Sequence, residues 1–376
     1  MMAVHVDDGP GVASSQRMVD FIVGGIQVQY ECTCGRWKKV LGFRFVVNDN
    51  DGTVAMSCET VIEEMAEKFL PGQLRYDAKL PLRDVVLESG EVPPVGHPER
   101  EAYLQMQTET RSILGLLLWV AIAYPQIMFA VNKGCGHMAN PSYGVNAFAK
   151  HTILNLSQNP TPVTWGRNKK IKNLVLSSPT IPPFTNGAKE YGLHYAADAS
   201  PSDTAKGITG GVGMLAGGTI DTVSQRQHLA SPDTHAAELA AAGTVMHRII
   251  PMRGVLQEAR IPQVAPTPCW MDSASTIFVA ENRAAPKKSA WTRRKAEVLT
   301  EAYEHGEVSP EKLEDPENFA DPQTKYLTHK VWRRHLHYTH NLEGDAPERD
   351  EPNKKNKGKI AATTWTTNEP WGAQLD

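Results

Sequence analysis

Four carboxylates in the second half of the chain, Asp198, Glu238, Asp272 and Asp321, share a setting in the local pattern. Asp198 closes the run His194-Tyr-Ala-Ala-Asp198, where Leu193, Tyr195 and Ala197 alternate with His194, Ala196 and Asp198, the period of a strand. Glu238 follows Asp233-Thr234, either of which can cap a helix, and stands near that helix's first turn among alanines. Asp272 ends the short strand pattern Pro266-Thr-Pro-Cys-Trp-Met-Asp272, ahead of a helix over 276–282. Asp321-Pro322 reads as an N-cap with proline at the first helical position. Any one of these residues alone is more often a cap or a solvated side chain. Together, at strand ends and helix starts within one domain-length segment, they suit two-metal phosphodiester hydrolysis. Hard carboxylate oxygens would hold two Mg2+ ions, or Mn2+, about 4 Å apart, one activating a water and the other stabilising the leaving oxygen. Histidines and thiolates would select softer metals, and none is placed to help. Converging carboxylates are costly to hold without cations, so such a cluster is expected to bind metal.

The elements that must position these groups are an α/β set. Ile208–Ala216 and Thr219–Leu229 read as strands around the turn Ala216-Gly-Gly-Thr219, completing a three-stranded meander with the Asp198 strand. The helix carrying Glu238 is expected to continue to Ile250. Upstream, Val40–Val47 and Thr53–Ser57 form a hairpin pattern around Asn48-Asp-Asn-Asp-Gly52, followed by an amphipathic helix over Glu59–Phe69. After a Pro- and charge-rich loop, a helical segment spans Glu101–Leu156 with breaks at Pro125 and Asn140-Pro141. Its apolar run Ile113–Tyr124 is shorter than the roughly 20 residues a membrane span requires, so a buried helix and no membrane partner are expected.

A net charge of −3 over 376 residues gives no global attraction for a polyanion, so any nucleic-acid affinity must be local. The one local signal is Arg283, Lys287, Lys288, Arg293, Arg294 and Lys295, with Trp291 among them and no acid. That run is either a solvated face or a contact for phosphates. The five scattered cysteines form no disulfide framework and suit a reducing, intracellular, cytoplasmic setting. Cys32, Cys34, Cys135 and His137 lack a standard zinc spacing. No secretory signal is expected from the acidic Met1–Gly9, and His335, His337 and His340 read as a helix surface. His5-Val-Asp7-Asp8 taken alone is more often a turn than a metal site.

Several of these blocks resemble the Pol polyprotein of copia-type retrotransposons. Asp198-Ala-Ser, Lys206-Gly-Ile-Thr-Gly-Gly-Val-Gly-Met-Leu215, Thr234-His-Ala-Ala-Glu238, Trp270-Met-Asp272-Ser-Ala-Ser and Ala320-Asp321-Pro-Gln-Thr-Lys325 follow the order and approximate spacing of its RNase H domain. His5-Val-Asp7-Asp8 resembles the Tyr-Val-Asp-Asp turn of the reverse transcriptase, and Thr110–Val131 resembles the connection region. Trp291-Thr-Arg-Arg-Lys295 stands where many relatives carry a Lys-His-Ile-Asp block.

The resemblance implies an RNase H-like α/β fold with a mixed five-stranded sheet and flanking helices, preceded by a partial palm and a helical region. The expected parts are a partial reverse transcriptase palm over 1–70, a thumb or connection region over 71–158, a Pro-rich linker over 159–187, the RNase H-like domain over 188–341 and a disordered tail over 342–376. The resemblance further implies Asp198, Glu238, Asp272 and Asp321 as catalytic, metal-binding carboxylates. Asp7 and Asp8 would be a vestigial polymerase metal site, and polymerisation is not expected of this chain. The implied activity is Mg2+-dependent cleavage of the RNA strand of an RNA:DNA hybrid, with the rest of a Pol polyprotein as a further partner. Two alternatives are an inactive relic that keeps the fold and nucleic-acid binding, and a protein-interaction module reusing it.

Overall fold

The computed structural model describes residues 16–31, 35, 38–70, 72, 76–166, 192–200, 206–228, 230–231, 233–259, 261, 263–282, 290–314, 317–342 and 347. Asp7, Asp8, Cys32, Cys34, Arg283, Lys287, Lys288, residues 167–191 and the tail from 348 onward lie outside these described residues.

In the first part, helix α1 (Gln16–Gln27) precedes strands β1 (Lys39–Val40), β2 (Phe43–Asn48) and β3 (Thr53–Ser57). Helices α2 (Glu59–Phe69), α3 (Arg100–Val120), α4 (Met128–Cys135) and α5 (Tyr143–Gln158) follow, with a 3-10 turn at Pro125–Ile127. Proline at that turn and Ser142, whose hydroxyl accepts from the Val145 amide, place the two helix breaks. Strand β4 (Val163–Gly166) lies inside the stretch expected as a linker and closes an antiparallel sheet in the order β1-β2-β3-β4. Ile62, Met65, Leu114, Leu117, Phe129 and Ile153 share one buried core behind it.

The second part is a mixed five-stranded sheet with flanking helices, the α/β architecture the resemblance implied. Strands β5 (His194–Ser200), β6 (Ile208–Leu215) and β7 (Gly218–Arg226) form an antiparallel meander. Helix α6 (Thr234–Glu258) crosses over to β8 (Thr267–Met271), which pairs parallel with β5. Helices α7 (Ala274–Asn282) and α8 (Ala290–Glu304) then cross to β9 (Val308–Lys312), and helix α9 (His329–Thr339) ends the unit. The sheet order is β7-β6-β5-β8-β9. Parallel neighbours need a long crossover, which is why helices separate β7, β8 and β9 in sequence, whereas the antiparallel β6 and β7 are joined by the short Ala216-Gly217 turn.

Alternation along β5 supplies two layers at once. Leu193, Tyr195 and Ala197 pack with Leu239, Ala242, Val245 and Met246 of α6. Ala196 faces the opposite layer with Val212, Trp270, Phe319 and Tyr338. β5 is therefore covered on both faces, as a central strand of such a sheet must be. The small side chains of Ala237 and Ala241 let α6 lie close against Ala199.

Three local expectations need correction. β7 stops at Arg226 rather than Leu229, and α6 runs through Pro251 to Glu258 instead of stopping at Ile250. The proline forfeits one helical hydrogen bond, but Leu256 is buried in the core and Met252 packs against it, and that packing carries the helix onward. His335, His337 and His340 are buried, not a surface. α9 lies between the two parts of the chain, where His340 Nε2 shares a 2.7 Å hydrogen bond with Gln126 Oε1.

The two parts meet along β4, α4 and the β6–β7 hairpin. Gly166 N donates to Ala216 O at 2.8 Å, Trp165 Nε1 to Thr219 O at 3.1 Å, and Asn132 Nδ2 to Ser224 Oγ at 3.2 Å. Among the described residues no helix is long and apolar enough to cross a membrane.

Burial holds four histidines neutral. It lowers His151 and His194 to about 4, and His335 and His340 to about 3. These depressed values mean that the unfolded chain takes up protons, near its ordinary value of 6.5, that the folded chain refuses. Their stabilising effect is present above that value and is lost as pH falls toward the folded values. Urea denaturation of the full chain at pH 7.5, 6 and 5 is expected to show midpoints falling with pH, the unfolding free energy losing up to about 1.4 kcal/mol per histidine for each unit below 6.5. The raised Glu238 carboxyl contributes the opposite slope, so the test is repeated in Glu238→Gln, where a flat profile would mean that these rings are solvated.

Candidate active site

Asp198 enters the site from the interior of β5, two residues short of its end, and is fully buried. Glu238 comes from the first turns of α6, where Asp233 caps the helix by accepting from the Ala236 amide at 2.8 Å. Asp272 follows β8, and the next residue, Ser273, accepts from the Thr276 amide at 3.3 Å as α7 begins. These three carboxylates each place one oxygen within 4.8 Å of the others. β5 and β8 are parallel neighbours, so their carboxyl ends emerge side by side, and α6 aims its entrance at the same point.

Asp321 stands outside that group of three. It is not an N-cap: Ala320 takes that position and Asp321 begins a 3-10 turn, Asp321–Gln323. This turn crosses the face of the sheet beside β5. Lys325 bridges the two sets, with its Nζ 3.0 Å from Asp321 Oδ1 and 3.2 Å from Asp198 Oδ1. The Thr324 hydroxyl donates to the other oxygen, Asp198 Oδ2. Neither Thr324 nor Lys325 was singled out from sequence. The signal available was their spacing, since Lys325 lies four residues after Asp321, one helical turn away.

Close approach of that turn depends on Gly210, which pairs with Asp198 in the β5–β6 register. A methyl group there would meet Thr324 Cγ2 at 2.4 Å, Gln323 Cβ at 3.0 Å and the Ala320 carbonyl oxygen at 3.2 Å. Only a residue with no side chain lets the Asp321–Lys325 segment seat over Asp198.

Electrostatics follow from this crowding. Burial raises the Asp198 carboxyl to about 6, opposed by Lys325 and Thr324 and reinforced by Asp272. Glu238 is pushed up to about 9, first by burial and then by the charges of Asp198 and Asp272. Three converging carboxylates in this setting resist carrying full negative charge. Hard oxygen donors that close together fit a divalent Mg2+ or Mn2+ ion, and no thiolate or imidazole joins them in the set.

Of the basic run, Arg293 and Arg294 are exposed in the first turn of α8. Lys295 is half-buried, its aliphatic stem over Gly243 of α6, and burial lowers its pKa. It is partly packing material, as long charged side chains often are.

No protein family matches the chain, and no curated protein does. Among solved structures, the chain is similar to an RNase H1 isolated from compost by a metagenomic approach. That likeness has 13% identity and a TM-score of 0.29 over 36% of this chain and 93% of that one. It is also similar to the N-terminal RNase H domain of a Mycobacterium tuberculosis protein, solved as a maltose-binding-protein fusion, with 15% identity and a TM-score of 0.27 over 36% and 91%. A third is the foamy viral protease-reverse transcriptase dRH in complex with double-stranded DNA, with 12% identity and a TM-score of 0.30 over 57% and 34%. At such scores the functional reading rests on the strand order and the carboxylates rather than on these likenesses.

Gly210→Ala is expected to lower stability by about 1–3 kcal/mol, the usual result of forcing a methyl group into a packed contact. It should also loosen the hold of Thr324 on Asp198. Thermal unfolding beside Gly254→Ala, where nothing lies within 4 Å of the added methyl, checks it. Equal melting points would mean that the 321–325 segment does not seat as described.

Proposed function

We propose that the chain is part of a copia-type retrotransposon Pol polyprotein whose RNase H-like domain cleaves the RNA strand of RNA:DNA hybrids with Mg2+. The observation that carries this reading is the convergence of Asp198, Glu238 and Asp272 within 4.8 Å at the carboxyl edge of a β7-β6-β5-β8-β9 sheet.

In this reading Asp198, Glu238 and Asp272 hold the divalent ions, and Asp321 completes the set. When bound, the two ions supply activation of the attacking water and stabilisation of the leaving oxygen. The protein's own contribution is positioning. Thr324 orients one oxygen of Asp198, and Asp233 holds the α6 entrance so that Glu238 faces β5. Glu238, retaining a proton in the metal-free site, must release it for metal to bind, so affinity for Mg2+ rises with pH. The exposed Arg293 and Arg294 meet hybrid phosphates, together with Arg283, Lys287 and Lys288. The partial palm and helical region over 1–158, with Asp7 and Asp8 as a vestigial polymerase site, accompany this domain without polymerising.

The full chain is expected to cleave a labelled RNA:DNA hybrid with Mg2+ or Mn2+. Asp198→Asn and Glu238→Gln should each reduce the rate at least about 100-fold, the scale of losing one electrostatic stabiliser of a transition state. A folded parent that leaves the hybrid intact with both metals would instead support the inactive relic. Arg293→Ala with Arg294→Ala should weaken hybrid binding and reduce the log–log salt slope by about 1–2, roughly one for each phosphate no longer neutralised. Unchanged affinity and slope would return these arginines to a solvated face.

A further inference from the structure

Lys325 is placed with more care than a surface lysine requires. Its backbone amide donates to Asp321 O at 2.9 Å, closing the turn that carries it. The segment is held from both sides. Gly210 lets it approach β6, and Ser224 Oγ donates to Gln323 O at 2.7 Å. The next residue, Tyr326, is gripped by the first part of the chain. Its ring meets Phe129 edge-on with centroids 5.5 Å apart, and Lys133 Nζ lies 4.5 Å over it. Gln323 Nε2 also donates to Pro125 O at 3.3 Å. The ammonium so delivered contacts Asp198 at 3.2 Å and Asp321 at 3.0 Å, and its charge reaches Glu238. A second basic group near this set, Lys312, donates to the Asp272 main-chain oxygen rather than to a carboxylate.

We propose that Lys325 is the resident counter-cation of the carboxylate cluster, so that a divalent ion and the Lys325 ammonium compete for Asp198. This rests on the metal-site reading above and adds a tether to it. A buried aspartate needs a positive partner, and one lysine anchored by the helical part of the chain provides it. The Lys325 side chain is 29% exposed, so it has a path to solvent when a stronger cation arrives. The arrangement keeps the metal-free site folded at the expense of metal affinity, and it makes that affinity depend on α4 through Tyr326.

The experiment is calorimetric titration of Mn2+ into the full chain and into Lys325→Met, with melting curves of both without metal. Competition is reciprocal coupling of the size usual between linked sites, so Lys325→Met is expected to bind Mn2+ about 5–150-fold more tightly. Its metal-free form should melt lower than the parent, and Mn2+ should raise its melting point by more. In the parent, saturating Mn2+ should increase the reductive methylation of Lys325, read by mass spectrometry. Should Lys325→Met not fold without metal, Lys325→Gln, which can still hydrogen-bond an aspartate, takes its place in the titration. Equal or weaker Mn2+ binding by the variant, with binding retained in the parent, overturns the competition and leaves the metal site standing. Absence of Mn2+ binding in both overturns the competition and the metal-site reading together.

Discussion

The constraint on which the second half of this protein depends is the burial of negative charge at a sheet junction. Asp198 has no exposed surface, yet it sits beside Glu238 and Asp272. A carboxylate in such a place must be neutralised by a proton, a cation or a dense set of donors. All three devices are present: a raised Glu238, the Lys325 ammonium and the Thr324 hydroxyl. The fold's task is to deliver the Lys325 ammonium and the Thr324 hydroxyl within hydrogen-bond reach of Asp198 and to bring Glu238 within 4.8 Å of it.

That delivery explains features that look unrelated along the chain. Alanines on the first turns of α6 allow a helix carrying Glu238 to lie against β5. A glycine in β6 opens the opposite face for the 321–325 segment. The helical part of the chain, remote in sequence, holds Tyr326 and so the residue before it. The first and second parts are therefore coupled through one short turn as well as through β4 and the β6–β7 hairpin. His340, at the end of α9, bonds Gln126 of the first part, and burial keeps both it and His335 without charge.

Much of the local structure was legible because its signals are local. Period-two alternation marked β5, the Gly-Gly turn marked the β6–β7 hairpin, and the Asp233 cap marked the start of α6. The breaks at Pro125 and before Ser142 were readable for the same reason. The misses came where packing overruled the local rule. α6 continues through Pro251 because Leu256 is wanted in the core, and His335 and His337 of α9 are buried while Lys330 and Arg333 keep its charged side exposed. Asp321 begins a 3-10 turn rather than capping a helix, because that turn must bend across the sheet.

By itself the sequence did not carry β4, which lies in the stretch expected as a linker. It carried the β5–β6–β7 meander, the start of α6 and the β8–α7 pair, and it placed four carboxylates at strand ends and helix starts. Those are properties of side-chain type and of periods two to four residues long, which a linear reading carries. Only the tertiary structure decided that Asp198, Glu238 and Asp272 converge while Asp321 joins them through Lys325. It alone decided that Arg293 and Arg294 face solvent whereas Lys295 packs on Gly243. Convergence depends on which strands pair in parallel and on how closely backbones approach, and both are set by contacts between residues far apart in sequence, as in the pairing of Tyr195 with Cys269 and the bond between Thr324 and Asp198. No pattern confined to a few neighbouring residues encodes such a distance.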